Sequence, residues 1–278
     1  MFRRLLPPEI IDPIIDLLHD DTEALKQCCL VSKSWISRSR RHLFAHVQFL
    51  RNRLKLWKAT FPDPTNSPAY HTRTLTIYLS VDGVGEGNWI LAFSRVQRLL
   101  LTVRRNEEAT SFVPLYKLSS SLKSLQVYFY IPHPEAFNLI RSLSLLEDLT
   151  LSNYSTTFKS DGPLAPAPPL ASPPLTGSLG IFLKHWGTET IHRLLDLPNS
   201  LHFREIRLFL YKATDLPPTG KLVTACSGTL EHLHISFAAS REFVSVPFVI
   251  SDSYLTLLPQ SNLNLAQSIS PKRRNSKW

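Results

Sequence analysis

The sequence predicts an α/β chain: a short three-helix module at the N-terminus, followed by a solenoid of strand-and-connector repeats. Three observations predict it. Residues 6–46 alternate capping residues with short amphipathic stretches. From residue 72 onward a short apolar phrase recurs at a nearly constant step. Apolar residues make up 43% of the 278 positions and charged residues only 19%, which supplies a sizeable core and argues against wholesale disorder.

The helices come first. Pro7 and Pro8 suit a helix start, where the missing amide is not needed. Apolar residues follow at Ile10, Ile11, Ile14, Ile15, Leu17 and Leu18, with Asp12 and Asp16 sharing the polar face at an i,i+4 spacing. Pro13 falls beyond the first turn and is expected to kink or delay this helix. Asp20 is expected to cap a second helix, with Glu23 three residues later as in a capping box. That helix is expected to carry Leu25, Cys28, Cys29 and Val31 inward. Ser32 then caps a third, with Trp35, Ile36, Leu43 and Phe44 apolar and Arg38, Arg40 and Arg41 solvated. A unit this small is expected to lean on a partner or on the next domain. The expected organisation is a helical module over 1–48, a linker or helix over 49–71, the repeat array over 72–240 and a C-terminal tail over 241–278.

The residues Leu6-Pro7-Pro8-Glu9-Ile10, then Leu17-Leu18, then Cys29-Leu30-Val31-Ser32-Lys33-Ser34-Trp35, then Leu43-Phe44 resemble an F-box over residues 6 to about 46. In that family the motif docks on the Skp adaptor of cullin-RING ubiquitin ligases. The resemblance implies that Leu6, Pro7, Ile10, Ile14, Leu17, Leu18, Val31 and Trp35 contact the adaptor or order the contact surface. Pro13 departs from the family's usual uninterrupted first helix. The alternative is a three-helix cap packed only on its own repeats.

The recurring phrase is apolar-x-x-apolar-x-apolar, a leucine-rich-repeat strand signature. It occurs as Val96-x-x-Leu99-x-Leu101, Leu122-x-x-Leu125-x-Val127, Leu146-x-x-Leu149-x-Leu151, Phe203-x-x-Ile206-x-Leu208 and Leu230-x-x-Leu233-x-Ile235. Two weaker copies begin on threonine, at Thr72 and Thr176. The second apolar positions fall at 75, 99, 125, 149, 179, 206 and 233, in steps of 24, 26, 24, 30, 27 and 27. Some connectors read as helical, over 135–146 and 189–197; the stretch 161–175, rich in proline, alanine and leucine, reads as an extended loop. A doubly wound α/β sheet also alternates strands with helices, but its units usually run to about thirty residues or more. Its strands would also be nearly continuous apolar runs. The array is degenerate, since the asparagine that follows each strand in the usual repeat is missing. Most of the chain resembles F-box proteins with leucine-rich repeats, including large fungal families of this shape.

Little in the sequence points to chemistry. Gly83-Val84-Gly85-Glu86-Gly87 has G-x-G-x-G spacing, and Val103-Arg104-Arg105 stands where a dinucleotide site needs an acid. His232 and His234 share a strand face, but no further metal ligand is placed beside them. Cys28, Cys29 and Cys226 form no disulfide framework, and Cys226 reads as a buried packing thiol. No nucleophile elbow or P-loop appears. The expectation is therefore a non-catalytic chain with no cofactor and no metal.

The formal net charge of +9 permits nucleic-acid contact without being specific for it, and nucleic acid is not the expected partner. Pro271-Lys272-Arg273-Arg274 is either an import signal or a solvated terminus. No signal-peptide core forms before Pro7, and no apolar run is long enough to span a bilayer. A cytoplasmic and/or nuclear location with no membrane partner is expected. The expected role is a substrate-recognition subunit of a Skp–cullin–F-box ligase that holds an unknown target protein on its repeats. The alternative is a ligase-independent scaffold or nucleic-acid-associated repeat protein.

In a strand, alternate side chains face opposite ways. If the ladder residues point inward, Tyr78, Arg98, Tyr128, Arg207 and Phe209 point to the other face. Aromatic residues and arginine are what binding hot spots use, so target binding is expected there.

Overall fold

The computed structural model describes residues 7–50, 53–79, 88–103, 112–118, 120–129, 134–153, 174–184, 187–197 and 201–238. Among these it is an α/β structure with seven α-helices and one eight-stranded parallel sheet. Leu6, residues 83–87, residues 161–173 and the basic cluster at 271–274 lie outside the described residues.

The N-terminal helices are α1 (Pro8–Leu17), α2 (Thr22–Val31) and α3 (Lys33–Leu43). α1 runs through Pro13 rather than starting after it. Pro13 and Glu9 are both exposed, so the carbonyl that loses its amide partner is left to water. Asp21, not Asp20, caps α2, accepting from the Ala24 amide at 2.9 Å. The turn that closes α1 sets this, because it uses the Asp21 amide, donated to the Leu18 carbonyl at 2.8 Å. Ser32 caps α3 as expected, accepting from the Ser34 amide. Ile11, Ile15 and Leu25 form a small core, with Leu18, Trp35 and Leu43 packed against it. Val31 points outward instead of inward, because α2 turns Leu25 and Cys28 to the core.

The strands are β1 (His46–Phe49), β2 (Thr74–Leu79), β3 (Arg98–Val103), β4 (Ser124–Phe129), β5 (Asp148–Asn153), β6 (Leu175–Phe182), β7 (Leu201–Leu210) and β8 (His232–Phe237). They pair in chain order, all parallel. The order never reverses, so the sheet has no switch point of the doubly wound kind. The spacing ruler is the register of the sheet: Leu75, Leu99, Leu125, Leu149, Leu179, Ile206 and Leu233 stand opposite one another in succession.

β1 crosses the expected boundary at residue 48 and pairs Val47 with Leu75. Its residues fit the same phrase, Phe44-x-x-Val47-x-Phe49, one step ahead of Thr72. Nor is the 49–71 stretch a plain linker. It holds α4 (Arg53–Thr60) and short 3-10 turns at Pro64–Asn66 and Pro68–His71. Trp57 of α4 meets Phe49 edge-on at 5.5 Å, and Phe49 in turn meets Trp89 and Phe93 at 5.7 and 5.8 Å. This aromatic group fills the first end of the core.

Strand entry is built the same way at β2, β3, β4 and β5. The Ala45 carbonyl accepts from the Arg73 and Thr74 amides, and Arg73, Gln97 and Lys123 repeat the pattern one strand later each. At β6 the pattern needs glycine. Gly177 has φ +83°, and a Cβ there would stand 1.9 Å from the Glu147 carbonyl oxygen. The register then steps from Gly177 opposite Phe203 to Ser178 opposite Glu205, leaving Arg204 as the extra residue of a bulge.

The later connectors are 3-10 turns at Asn88–Phe93 and Val113–Leu118, then α5 (Pro134–Ser142), α6 (Gly187–Leu195) and α7 (Leu216–Ala225). With the inward side chains of the strands they make one core from Val47 to Leu230. The buried Asp215 ties two connectors together, its Oδ1 accepting from the Thr188 hydroxyl at 2.8 Å. Cys226 is buried, and burial pushes its thiol up to about 11. Leu233 and Ile235 are half-buried rather than buried, because no described strand follows β8.

Candidate functional site

Two surfaces carry the residues singled out in the sequence. The first is α1. Its helical period sends Ile11 (5% exposed) and Ile15 (0%) into the small core and leaves Ile10 (51%), Ile14 (47%) and Leu17 (82%) on the outside. An apolar row at i, i+4 and i+7 thus faces solvent, with the exposed Pro7 at its head. At the end of α2, Val31 is exposed, and so is Leu30, which the inward–outward reading did not single out. Leu18 and Trp35 are half-buried in the module's core. They order the surface rather than form it.

α1 is held in this orientation by charge. Arg38 Nε donates to Asp16 Oδ1 at 2.6 Å while Nη2 donates to Oδ2. His42 Nε2 lies 2.7 Å from the same Oδ1, and Asp12 stands 3.8 Å from Arg38. Arg38 is therefore half-buried in an ion pair rather than solvated, because the aspartates at i,i+4 on α1 face α3. The Arg38 fork first, and His42 after it, hold the Asp16 carboxyl well below the usual carboxylate range.

The second surface is the sheet face opposite the core. The parallel register sets Tyr78, Thr102, Tyr128, Ser152, Phe182, Phe209 and Ser236 in one row across seven strands. Phe182, 40% exposed, belongs to this row and was not among the expected residues. The signal was present: Phe182 follows Ile181 just as Tyr128 follows Val127 and Phe209 follows Leu208.

Arg98 and Arg207 do not share that row. Arg207 lies two residues back along its strand, beside Gly180 and His234. Arg98 lies in the entry row, with Ser124, Asp148, Ser178 and Glu205. Polar pairs fix parts of the face. Ser124 and Ser178 both donate to Asp148, at 2.8 and 2.6 Å. Arg207 Nε donates to Glu205 at 2.7 Å, holding that carboxyl below its usual range. Tyr128 Oη accepts from Gln126 Nε2. His232 and His234 are exposed on this face, with His234 3.8 Å from Glu205.

The chain matches no known family model, no curated protein and no solved structure. The first surface is an apolar helix face held in place by charge, and the second is an aromatic row with charged flanks. Among the described residues no helix is long and apolar enough to cross a membrane, and no three His, Cys, Asp or Glu side chains gather as a metal site.

Proposed function

We propose that this chain is the substrate-recognition subunit of a Skp–cullin–F-box type ubiquitin ligase. In this reading residues 7–46 are an F-box docked on a Skp-family adaptor, and the strands from β2 onward are a degenerate leucine-rich-repeat solenoid that holds a target protein. The observation that carries the reading is the outward row Ile10, Ile14 and Leu17, which coincides with the resemblance to the motif. Leaving such a row in water is unfavourable unless a partner covers it. The chain would do no chemistry. It would raise the local concentration of target lysines near a charged conjugating enzyme.

The experiment is co-expression of the intact chain with a Skp-family adaptor, followed by co-purification and calorimetry. Binding is expected for the wild type. Ile14→Asp and Leu17→Asp are expected to weaken it by about tenfold or more each while leaving the fold intact, since truncating central apolar anchors typically costs about 2 kcal/mol. Trp35→Ala is also expected to weaken binding, through loss of the module's core. Absence of any adaptor binding by the wild type would overturn the reading in favour of a ligase-independent scaffold.

A further inference from the structure

The helical module and the first two repeats enclose a cleft of about 490 Å³. Three elements send arginines into it. Arg41 comes from α3, Arg73 from the residue before β2 and Arg95 from the turn before β3. Among the described residues none of these three has a carboxylate partner. Arg38 also lines the cleft, already held by Asp16. Among the described lining residues the one acid is Asp12, and it sits 3.8 Å from Arg38. Ser34, Ser37 and Tyr70 add neutral hydroxyl donors.

His71 lines the same cleft and is held below its ordinary value, first by burial and then by Arg95, Arg41 and Arg40. Like charges brought together without a counter-ion repel one another, and an anion seated among them would relieve that repulsion. Guanidinium forks match the oxygens of a phosphoryl group in pairs. The volume lies within the range of about 300–1,000 Å³ typical of small-molecule sites. Charges that converge on one cleft do not follow a backbone, as an extended nucleic-acid groove requires.

We infer that this cleft is a binding site for a small, multiply phosphorylated anion. It lies between the module and the repeats, on neither of the two surfaces described above, and does not depend on the ligase reading. Arg41, Arg73 and Arg95 would contact the phosphoryl oxygens, while Ser34, Ser37 and Tyr70 would donate to the remaining ones. A ligand seated there would touch α3 and the first two repeats at once, and so would stiffen their junction.

The test is calorimetric titration of the intact chain with sodium tripolyphosphate at low salt. Saturable one-to-one binding is expected. The double variant Arg41→Ala, Arg95→Ala is expected to weaken it by about tenfold or more. Both side chains are exposed and unpaired, so this variant should fold. Lys212→Ala with Lys221→Ala, after β7 and on α7, removes the same charge and should leave binding unchanged. In the wild type, the His71 imidazole proton resonances should shift along the titration. The inference fails if binding is not saturable, if the two double variants lose affinity equally, or if the His71 resonances stay fixed.

Discussion

The Arg38 guanidinium forks onto the Asp16 carboxylate, fastening α3 to α1 through two parallel bonds. Because the folded-state value of Asp16 lies below its ordinary 3.8, this carboxylate contributes stability above about pH 4. That contribution is lost as pH falls from there through the depressed folded value. The pair is partly open to water and screened, so its worth is set at about 1 kcal/mol. Asp16→Asn should lower stability by that amount at neutral pH and flatten the acid limb of the profile. Urea unfolding at a series of pH values checks both. An Asp16→Asn profile parallel to the wild type throughout would contradict the assignment.

The inward ladder should respond to truncation according to its depth in the sheet. Leu149 is 0% exposed with strands on both sides, and Leu149→Ala is expected to cost about 2–5 kcal/mol. Leu233, on the last described strand, is half-buried. Leu233→Ala should therefore cost clearly less. The shift in urea midpoint, compared between the two variants, decides it; equal costs would mean that β8 is packed as fully as β5.

Gly177→Ala should be among the most damaging single-methyl additions in the chain. It forces a side chain into positive φ, at about 1–2 kcal/mol, and drives a Cβ against the Glu147 carbonyl. Gly228→Ala is the control, since a Cβ there meets nothing within 4 Å. A thermal melt should separate the two by several degrees, with Gly228→Ala close to wild type.

The aromatic row gives the sharpest test of target binding. Substituting Tyr128, Arg207 and Phe209 together by alanine should abolish capture of targets found by proximity labelling while adaptor binding persists. Adding Phe182→Ala should deepen the loss in weaker variants, because its ring occupies the same row between β5 and β7. Full target capture by a folded triple variant would move recognition to the loops.

The repeat register was legible because one alternating phrase at a fixed step specifies both the strand and its inward face. β1 escaped for a local reason: Phe44 ends the α3 run, so its phrase reads as the tail of a helix. The Asp16–Arg38 pair escaped for a distant one, since its partners stand 22 residues apart on different helices. Gly177 looks like an ordinary strand glycine until the Glu147 carbonyl, thirty positions earlier, is set against it. Arg73 and Arg95 stand next to or between the apolar positions of the phrases, where nothing in the sequence singles them out. Only the parallel register brings both beside Arg41.

Each described strand pairs only with the strands immediately before and after it in the chain. No pairing has to wait for a remote segment to be made, so loop closure costs little at each step. A nascent chain can therefore order itself from the N-terminus as it leaves the ribosome. α1 to α3 and β1 provide the first template, and each new strand docks on the edge just completed. At each stage the growing end presents an unpaired edge, first that of β1 and last, among the described strands, that of β8. The interval between successive strands, rather than the time to finish the whole domain, then sets how long any one edge stays open to aggregation.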